Sequence, residues 1–509
     1  MERKRKVLFV AICAVLVAFG FNMVDTAFAQ TPKYGGVLKF VAGRSPVKFG
    51  YPPETTGGSY TYAVPCIESL LRRDENSQSV PHLATSWKIA PDRKSITFFL
   101  RKGVKFHDGT DFNAQAVKYN IDLAKAFKKP GLAKISSVDV IDDHTIQFNL
   151  TGYDTSILEN LALMDGMIAS PTAIEKNGKK WAYTHPVGTG PFQFVSFKRD
   201  VHLKYKKFDG YWEKGRPYLD GIEYINFKDR MVQAMSFKAG EGHVISRLKN
   251  KNASELSKEG YKIVANKMGM YALAPDSKNP NSVYADIRVR KAVEWALDRK
   301  KAAKAFGYGY WTALHQPAPP QYYGYNPDIK GRIYNPEKAK ELLKEAGYPN
   351  GFKTRIIVNT SFGDKDVMTA FKSDLAKVGI DAKLDMADRG RIRQYQFKGW
   401  ENALMFWIWS CDQNYANSAH RFFTTKTPHY VSMQRPPDLE EHLIKTLEEE
   451  DMQKKIAMTQ KSVKVAHDYA MYVPFNNSSA LAASVSNFHS DYNKFHHLYW
   501  RAGEAYFND

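Results

Sequence analysis

The chain has 509 residues, 43% of them apolar and 25% charged, with a formal net charge of +20. These proportions are normal for a globular protein, and the length exceeds one ordinary core, so two or three lobes are expected. The positive excess is compatible with nucleic acid, an anionic membrane or an anionic ligand, but lysines are scattered along the chain in short groups such as Lys128-Lys129, and no arginine-rich arm or RNA-binding signature occurs, so nucleic acid is excluded as an expected partner.

The first 29 residues read as an export signal. Arg3, Lys4, Arg5 and Lys6 form a basic start, Val7 to Phe21 is an apolar run, and small Ala27 and Ala29 precede a cut between Ala29 and Gln30. That is the three-part layout of a cleaved secretory signal. The rival is a membrane anchor, but the apolar run is short against the roughly 20 residues needed to cross a bilayer. Cys13 follows Ile12 with no small residue just before it, so a lipoprotein cut is not expected there. A soluble, periplasmic mature protein follows. Its two cysteines, Cys66 and Cys411, could pair in an oxidising compartment or remain two free buried thiols.

Beyond the leader, strand and helix patterns interleave, which predicts an α/β protein. "SITFFLRKGVKF" places Ile96, Phe98 and Leu100 on one strand face, and Asp108-Gly109 supplies a turn. A helix is predicted from Asn113, with Val117, Ile121 and Ala124 on one side, and "HTIQFNL" repeats the strand pattern through Ile146, Phe148 and Leu150. "DIRVRKAVEWALDRKKAAKAF" predicts one helix, with Val289, Ala292, Val293, Ala296 and Leu297 facing a core. "HQPAPPQYYGYNP" resists a packed element because its prolines lack donors and fix φ. "NPEKAKELLKEAGYP" is the clearest helix: Asn335 caps it, Pro336 suits its first turn and Gly347 its end. In "FWIWSCDQN", Trp407 and Trp409 share one face of a strand, and the lone carboxylate Asp412 follows.

Signatures of catalysis are absent. The chain has no HExxH, CxxC, phosphate-binding loop or GxSxG elbow, so no catalytic residue, cofactor or metal is expected. "GTGPF" at Gly188 to Phe192 does not continue as GxGxxG and reads as a turn before a strand. His107 beside a turn and the adjacent His496-His497 read as structural rather than as metal ligands. Carboxylates are plentiful but form no acid–base spacing, so a secreted enzyme is unsupported.

Four long stretches, in order, resemble extracellular solute-binding protein family 5, the peptide/nickel-type binding components of ABC importers. The first is "VPHLATSWKIAPDRKSITFFLRKGVKFHDGTDFNAQAVKYNID", matching at Pro81, Leu83, Ala84, Trp87, Leu100, Arg101, Gly103, Val104, Phe106, His107, Asp108 and Gly109. The others are "HPVGTGPFQFVSFKRDVHLKYKKFDGYW", ending in Tyr211-Trp212, then "DIRVRKAVEWALDRK" and "YNPEKAKELLKEAGYPNGF". The resemblance implies a two-lobed clamshell with an extra domain. It implies a first lobe of 33–66 with 185–270 and 480–509, an inserted domain of 67–184 and a second lobe of 271–479. It also implies a ligand held where the lobes meet, a membrane permease of an ABC importer as partner, and a monomer.

The family's peptide binders carry a tryptophan followed three residues later by an aspartate that holds the ligand's ammonium, and Trp409 and Asp412 stand at that spacing. The physics agrees: a carboxylate in a closing, water-poor cleft needs a cationic partner. From periodicity alone, the two tryptophans read as core and Asp412 as the cap of a turn or helix; the cleft role is what the resemblance implies. Tyr62 and Trp407 are further candidates for stacking on a ligand.

Departures from the family bear on the ligand. Where dipeptide binders carry an arginine for the ligand carboxylate, "TRIIVNTSFGDKDVM" has none in its middle; Arg355 precedes the expected strand and Lys365 lies near the expected place. The family's Gly-Glu-x-Asp is "GEGHV" here, with His243 for the aspartate, and its Asn-Thr after Leu-Ala is replaced around "ALAPDS". Both changes are expected near the cleft. A peptide or amine-bearing solute is the first expectation, and a non-peptide organic or aromatic anion or a metal chelate the alternative.

Overall fold

The structure, a computed structural model, describes residues 32–75, 78–360, 363–411, 414–424, 431–492 and 500–508. The leader, Asp412 and His496-His497 therefore lie outside the described residues. No helix among the described residues is long and apolar enough to cross a membrane.

One ten-stranded sheet runs through the molecule. Its strands are β1 (Val37–Ala42), β2 (Phe192–Lys198), β3 (His202–Lys207), β4 (Gly221–Asn226), β5 (Val244–Ser246), β6 (Lys262–Pro275), β7 (Phe352–Asn359), β8 (Ile380–Ala387), β9 (Ala403–Ser410) and β10 (Val473–Ser484). Their spatial order is β8-β7-β9-β6-β10-β5-β1-β4-β3-β2. The two long strands in the middle, β6 and β10, are antiparallel and belong to both halves of the sheet. Their Lys262/Ser484 end adjoins β5, and their Leu273/Val473 end adjoins β9.

Strand directions decide where the halves face each other. β4 and β5 run parallel to β1, and β5 is antiparallel to β10, so all three run in the sense of β6. β9 is antiparallel to β6, and β7 and β8 run parallel to β9. The carboxyl ends of β1, β4 and β5 therefore point toward the carboxyl ends of β7, β8 and β9. On β6 the two levels are close: Ser246 and Val264 share Ala482 as a partner, and Ser410 pairs with Gly269. Five residues of extended chain are roughly 16 Å.

Each half has its own cores. Around β1, Leu38, Phe40 and Tyr224 are buried. In the other half, β9 feeds two cores at once: Ala403, Met405 and Trp409 pack on one side, Leu404 and Phe406 on the other. A strand covered on both faces needs apolar side chains at every position, which is why "ALMFWIW" lacks polar alternation. A separate core gathers residues from Leu70 to Ile168 on an antiparallel sheet of Ala84–Ile89, Ser95–Leu100, Thr145–Leu150 and Ile135–Asp142. Its helix Ala114–Ala126 starts where expected, with the Asn113 side chain accepting from the Ala116 amide at 3.0 Å.

One predicted helix divides. Ile287–Ala296 ends, Leu297 is extended, and Asp298 caps a second helix, Arg299–Gly307, by accepting from the Lys301 amide at 2.9 Å. The capping carboxylate competes with helix continuation. Asn335 caps Pro336–Glu345, and Gly347 follows with a φ of 90°.

Candidate functional site

The facing strand ends form the candidate site, in accord with the general placement of ligands at the carboxyl ends of open α/β sheets. On the β1 side, helix Gly57–Ala63 carries Tyr62. Tyr62 is buried, its ring lies 4.8 Å from that of Tyr224, and its hydroxyl donates to the Arg44 carbonyl at 2.8 Å. Burial first, then the charge of Tyr492, pushes its phenol up to about 12. The ring supports the loop after β1 rather than standing free in a cleft.

On the β9 side, Trp407 and Trp409 do share one strand face, paired across to Ala272 and Met270. That face turns inward. Trp409 is fully buried and meets Tyr472 edge-on, with ring centroids 4.8 Å apart, while Trp407 is half-buried against the same core. The segment after β9 is braced by the proline–tyrosine loop, which has no regular element from His315 to Pro327. Tyr322 donates to the carbonyls of Cys411 and Lys267 at 3.1 and 3.0 Å, Tyr415 donates to that of Pro317 at 2.7 Å, and Tyr323 donates to Asn414. The chain on both sides of Asp412 is thereby fixed at the carboxyl end of β9.

The other sequence candidates fall elsewhere. His243 stands at the amino end of β5, its Nδ1 accepting from the Lys39 amide at 3.1 Å and its ring 4.7 Å from Phe507. The substituted "ALAPDS" lies at the far end of β6, where buried Asp276 accepts from the Asn402 amide at 2.8 Å. Both departures thus sit at the ends of strands away from the seam, against expectation, because strand direction and not closeness in sequence decides which end faces it. Arg355 is held within the sheet by Asp385 at 2.9 Å. Lys365 opens the helix that follows β7.

His107 is structural. Its Nε2 meets the Gly190 carbonyl at 2.8 Å, beside "GTGPF", whose glycines allow close approach: a Cβ on Gly188 would lie 2.2 Å from the Cys66 carbonyl oxygen. β2 begins directly after this turn. Cys66 and Cys411 are buried thiols that form no disulfide, and burial pushes the Cys66 thiol well up. Tyr211 and Trp212 donate to the buried Glu68 carboxylate, each at 2.9 Å, and His82 adds an ion pair at 3.1 Å. Burial opposes that charge, yet His82 and the donors hold Glu68 below the usual carboxylate range. These motif residues form a joint between the Leu70–Ile168 core and the β1 half.

No motif in the sequence marks three arginines that the fold brings to the seam. Arg44 follows β1, Arg247 follows β5 and Arg389 follows β8, each exposed to water. The crossing strands also bury Asn476 and Ser478, two apart on β10, whose side chains have no hydrogen-bond partner among the described residues. Buried polar groups are otherwise nearly always paired.

Two α/β halves sharing a crossing pair of strands, with opposed strand ends and a polar, cationic seam, are the two-lobed architecture of a solute-binding protein. The family model described as bacterial extracellular solute-binding proteins, family 5 matches residues 78–429, and the chain belongs to that family. It is 33% identical over 385 residues to the glutathione-binding protein GsiB of Shigella flexneri, covering 73% of each chain. The periplasmic binding protein DppA of Helicobacter pylori, solved with the peptide STSA, superposes with a TM-score of 0.78 at 26% identity over 94% of this chain and 99% of that one. HbpA2 of Haemophilus parasuis shares the fold with a TM-score of 0.81 over 93% of this chain and all of the other, at 22% identity.

Proposed function

We propose that this chain is exported by cleavage after Ala29, captures a peptide or other amine-bearing solute in the periplasm, and presents it as a monomer to the permease of an ABC importer. The division into 33–66 with 185–270 and 480–509, an inserted 67–184, and 271–479 belongs to the same reading. The observation that carries it is the opposition of strand ends across β6 and β10. Such a seam is formed from both halves, so a ligand touching both stabilises the closed arrangement over the open one. Asp412, directly beyond the braced end of β9, is assigned the ligand ammonium, and Trp409 the packing that steadies that strand end. Trp407 and Tyr62 line or support the seam. The glutathione-binding and peptide-bound relatives support a binding protein with a peptide-like ligand.

The test is calorimetric titration with a panel of di- to tetrapeptides, glutathione and amine-free acids. Asp412→Asn is expected to weaken amine-bearing ligands by about 2–5 kcal/mol, the usual loss when a buried charged pair is broken. Unchanged affinity would remove Asp412 from the site. The second reading, an organic anion, is favoured by the arginines at the seam, and binding of amine-free acids alone would replace the first with it.

A further inference from the structure

Three arginines reach the seam from both halves of the molecule, Arg44 and Arg247 after β1 and β5 and Arg389 after β8. Arg44 sits in a built seat: its Nη2 donates to the Gly58 carbonyl at 2.9 Å, and a Cβ on Gly58 would come within 2.6 Å of that nitrogen. Tyr62 holds the loop from below through the Arg44 carbonyl. Arg247 has a φ of 62°, and the Leu248 amide behind it donates to the Leu481 carbonyl at 3.1 Å. Arg389 opens helix Arg389–Lys398 beyond β8, while the neighbouring Asp388 side chain is occupied in capping that helix by accepting from the Arg391 amide at 2.9 Å. Among the described residues, no carboxylate forms an ion pair with Arg44, Arg247 or Arg389.

Arg44 feels the other two charges. Arg44 is open to water, yet its basicity is lowered, first by the protein surrounding it and then by the positive charges of Arg247 and Arg389. A side chain is both wet and surrounded by protein only in a concavity. Arg389 comes from the half opposite to Arg44 and Arg247, so the cluster straddles the seam. Like charges gathered there resist closure until an anion neutralises them, and arginine's planar fork matches carboxylates in two-point contacts.

We infer that Arg44, Arg247 and Arg389 form an anion clamp, and that the solute taken by this seam carries at least two carboxylates. The inference rests on the proposed binding function and deepens it by naming the ligand class: one ammonium for Asp412 and a surplus of negative charge for the arginines. The clamp also couples recognition to motion, because the anion removes the repulsion that holds the halves apart.

The probes are glutathione, with two carboxylates and one ammonium, trialanine, with one of each, and glutarate, with two carboxylates and no amine. Titrations compare the wild type with Arg44→Gln, Arg247→Gln and Arg389→Gln, and thermal unfolding without ligand shows that each variant is folded. Glutathione is expected to bind about tenfold or more tightly than trialanine, and each variant to lose most of that preference while changing trialanine affinity much less. Gly58→Ala, which displaces Arg44 without removing it, is expected to act in the same direction. Equal affinity for the two peptides, or a preference untouched in all three arginine variants, overturns the clamp. If glutarate binds and the variants weaken it while no peptide binds, the clamp stands and the peptide reading falls. If none of the probes binds, both fall.

Discussion

His315 shows how a single side chain ties stability to pH. It opens the proline–tyrosine loop, and its Nδ1 lies 3.1 Å from Arg299 Nη1, beside a buried ion-pair group in which Glu294 meets Arg332 at 2.8 Å and Arg299 at 3.7 Å. An arginine only donates, so the imidazole nitrogen must accept and stay neutral. Burial, then the Arg299 charge, pushes its pKa down to about 4. In the unfolded chain histidine titrates near its ordinary value of about 6.5. Between these values the unfolded chain binds a proton that the folded one refuses, so stability falls as pH drops from about 6.5 to 4. The loss approaches about 3 kcal/mol at the acid end, at about 1.4 kcal/mol per pH unit. Urea unfolding across this range measures it, and His315→Gln, which removes the titration, is expected to flatten the slope. An equally steep slope in the variant would place the acid sensitivity elsewhere. None of this was legible in the sequence, where His315 is simply the first residue of a loop: the effect depends on Arg299 being folded against it.

Elements were legible where their signals are local. Asn113 and Asn335 cap helices as their positions suggest, because a cap is a contact between residues three apart. The strand face shared by Trp407 and Trp409 follows from the two-residue repeat. What that face touches does not, since it depends on Tyr472, some sixty residues away. The break at Leu297 was missed because the apolar spacing continues through it, while the decisive signal was the carboxylate of Asp298 next door. β6 carries a further element-scale feature at the crossing. Its pairing with β10 shifts register between Lys267 and Gly269, and a Cβ on Gly269 would lie 1.8 Å from the Trp409 carbonyl oxygen. That neighbour is backbone and cannot rotate away. Gly269→Ala is expected to cost about 1–3 kcal/mol or more, as overpacking does, read as a lower urea midpoint. Gly57→Ala, with nothing within 4 Å of the added carbon, is the control and should fall within about 0.5 kcal/mol of wild type. Equal midpoints for the two variants would mean that the crossing yields easily.

At the scale of the whole molecule, the seam was legible only through the family resemblance. Its location needs the relative direction of strands far apart in sequence, and its arginines come from three separate loops. The proposed closure would gain one further contribution. The Leu70–Ile168 unit touches the β9 half through polar groups: Lys455 Nζ donates to Thr155 Oγ1 at 2.8 Å, Arg93 meets Glu450 at 3.3 Å, and Asn417 Nδ2 donates to Glu159 Oε2 at 2.5 Å. Glu159 is itself anchored in its own unit by Arg73, at 3.6 Å. A polar contact of this kind suits parts that separate and rejoin, since each group regains water on opening. Asn417 lies on the helix Tyr415–Phe423, which follows in sequence the strand end assigned to the ligand. Asn417→Ala removes one donor to a carboxylate while leaving Glu159 with Arg73 and the Asn414 amide. Hydrogen bonds to charged groups are worth about 1.5–3 kcal/mol, so ligand affinity is expected to fall by about ten- to a hundredfold. If the contact belongs to the closed arrangement alone, the melting temperature of the unliganded protein changes little. Small-angle scattering should show the wild type contracting on ligand addition and the variant contracting only at higher ligand concentration. Unaltered affinity with an unaltered scattering response would show that this contact contributes nothing to closure, and that the seam alone holds the halves together.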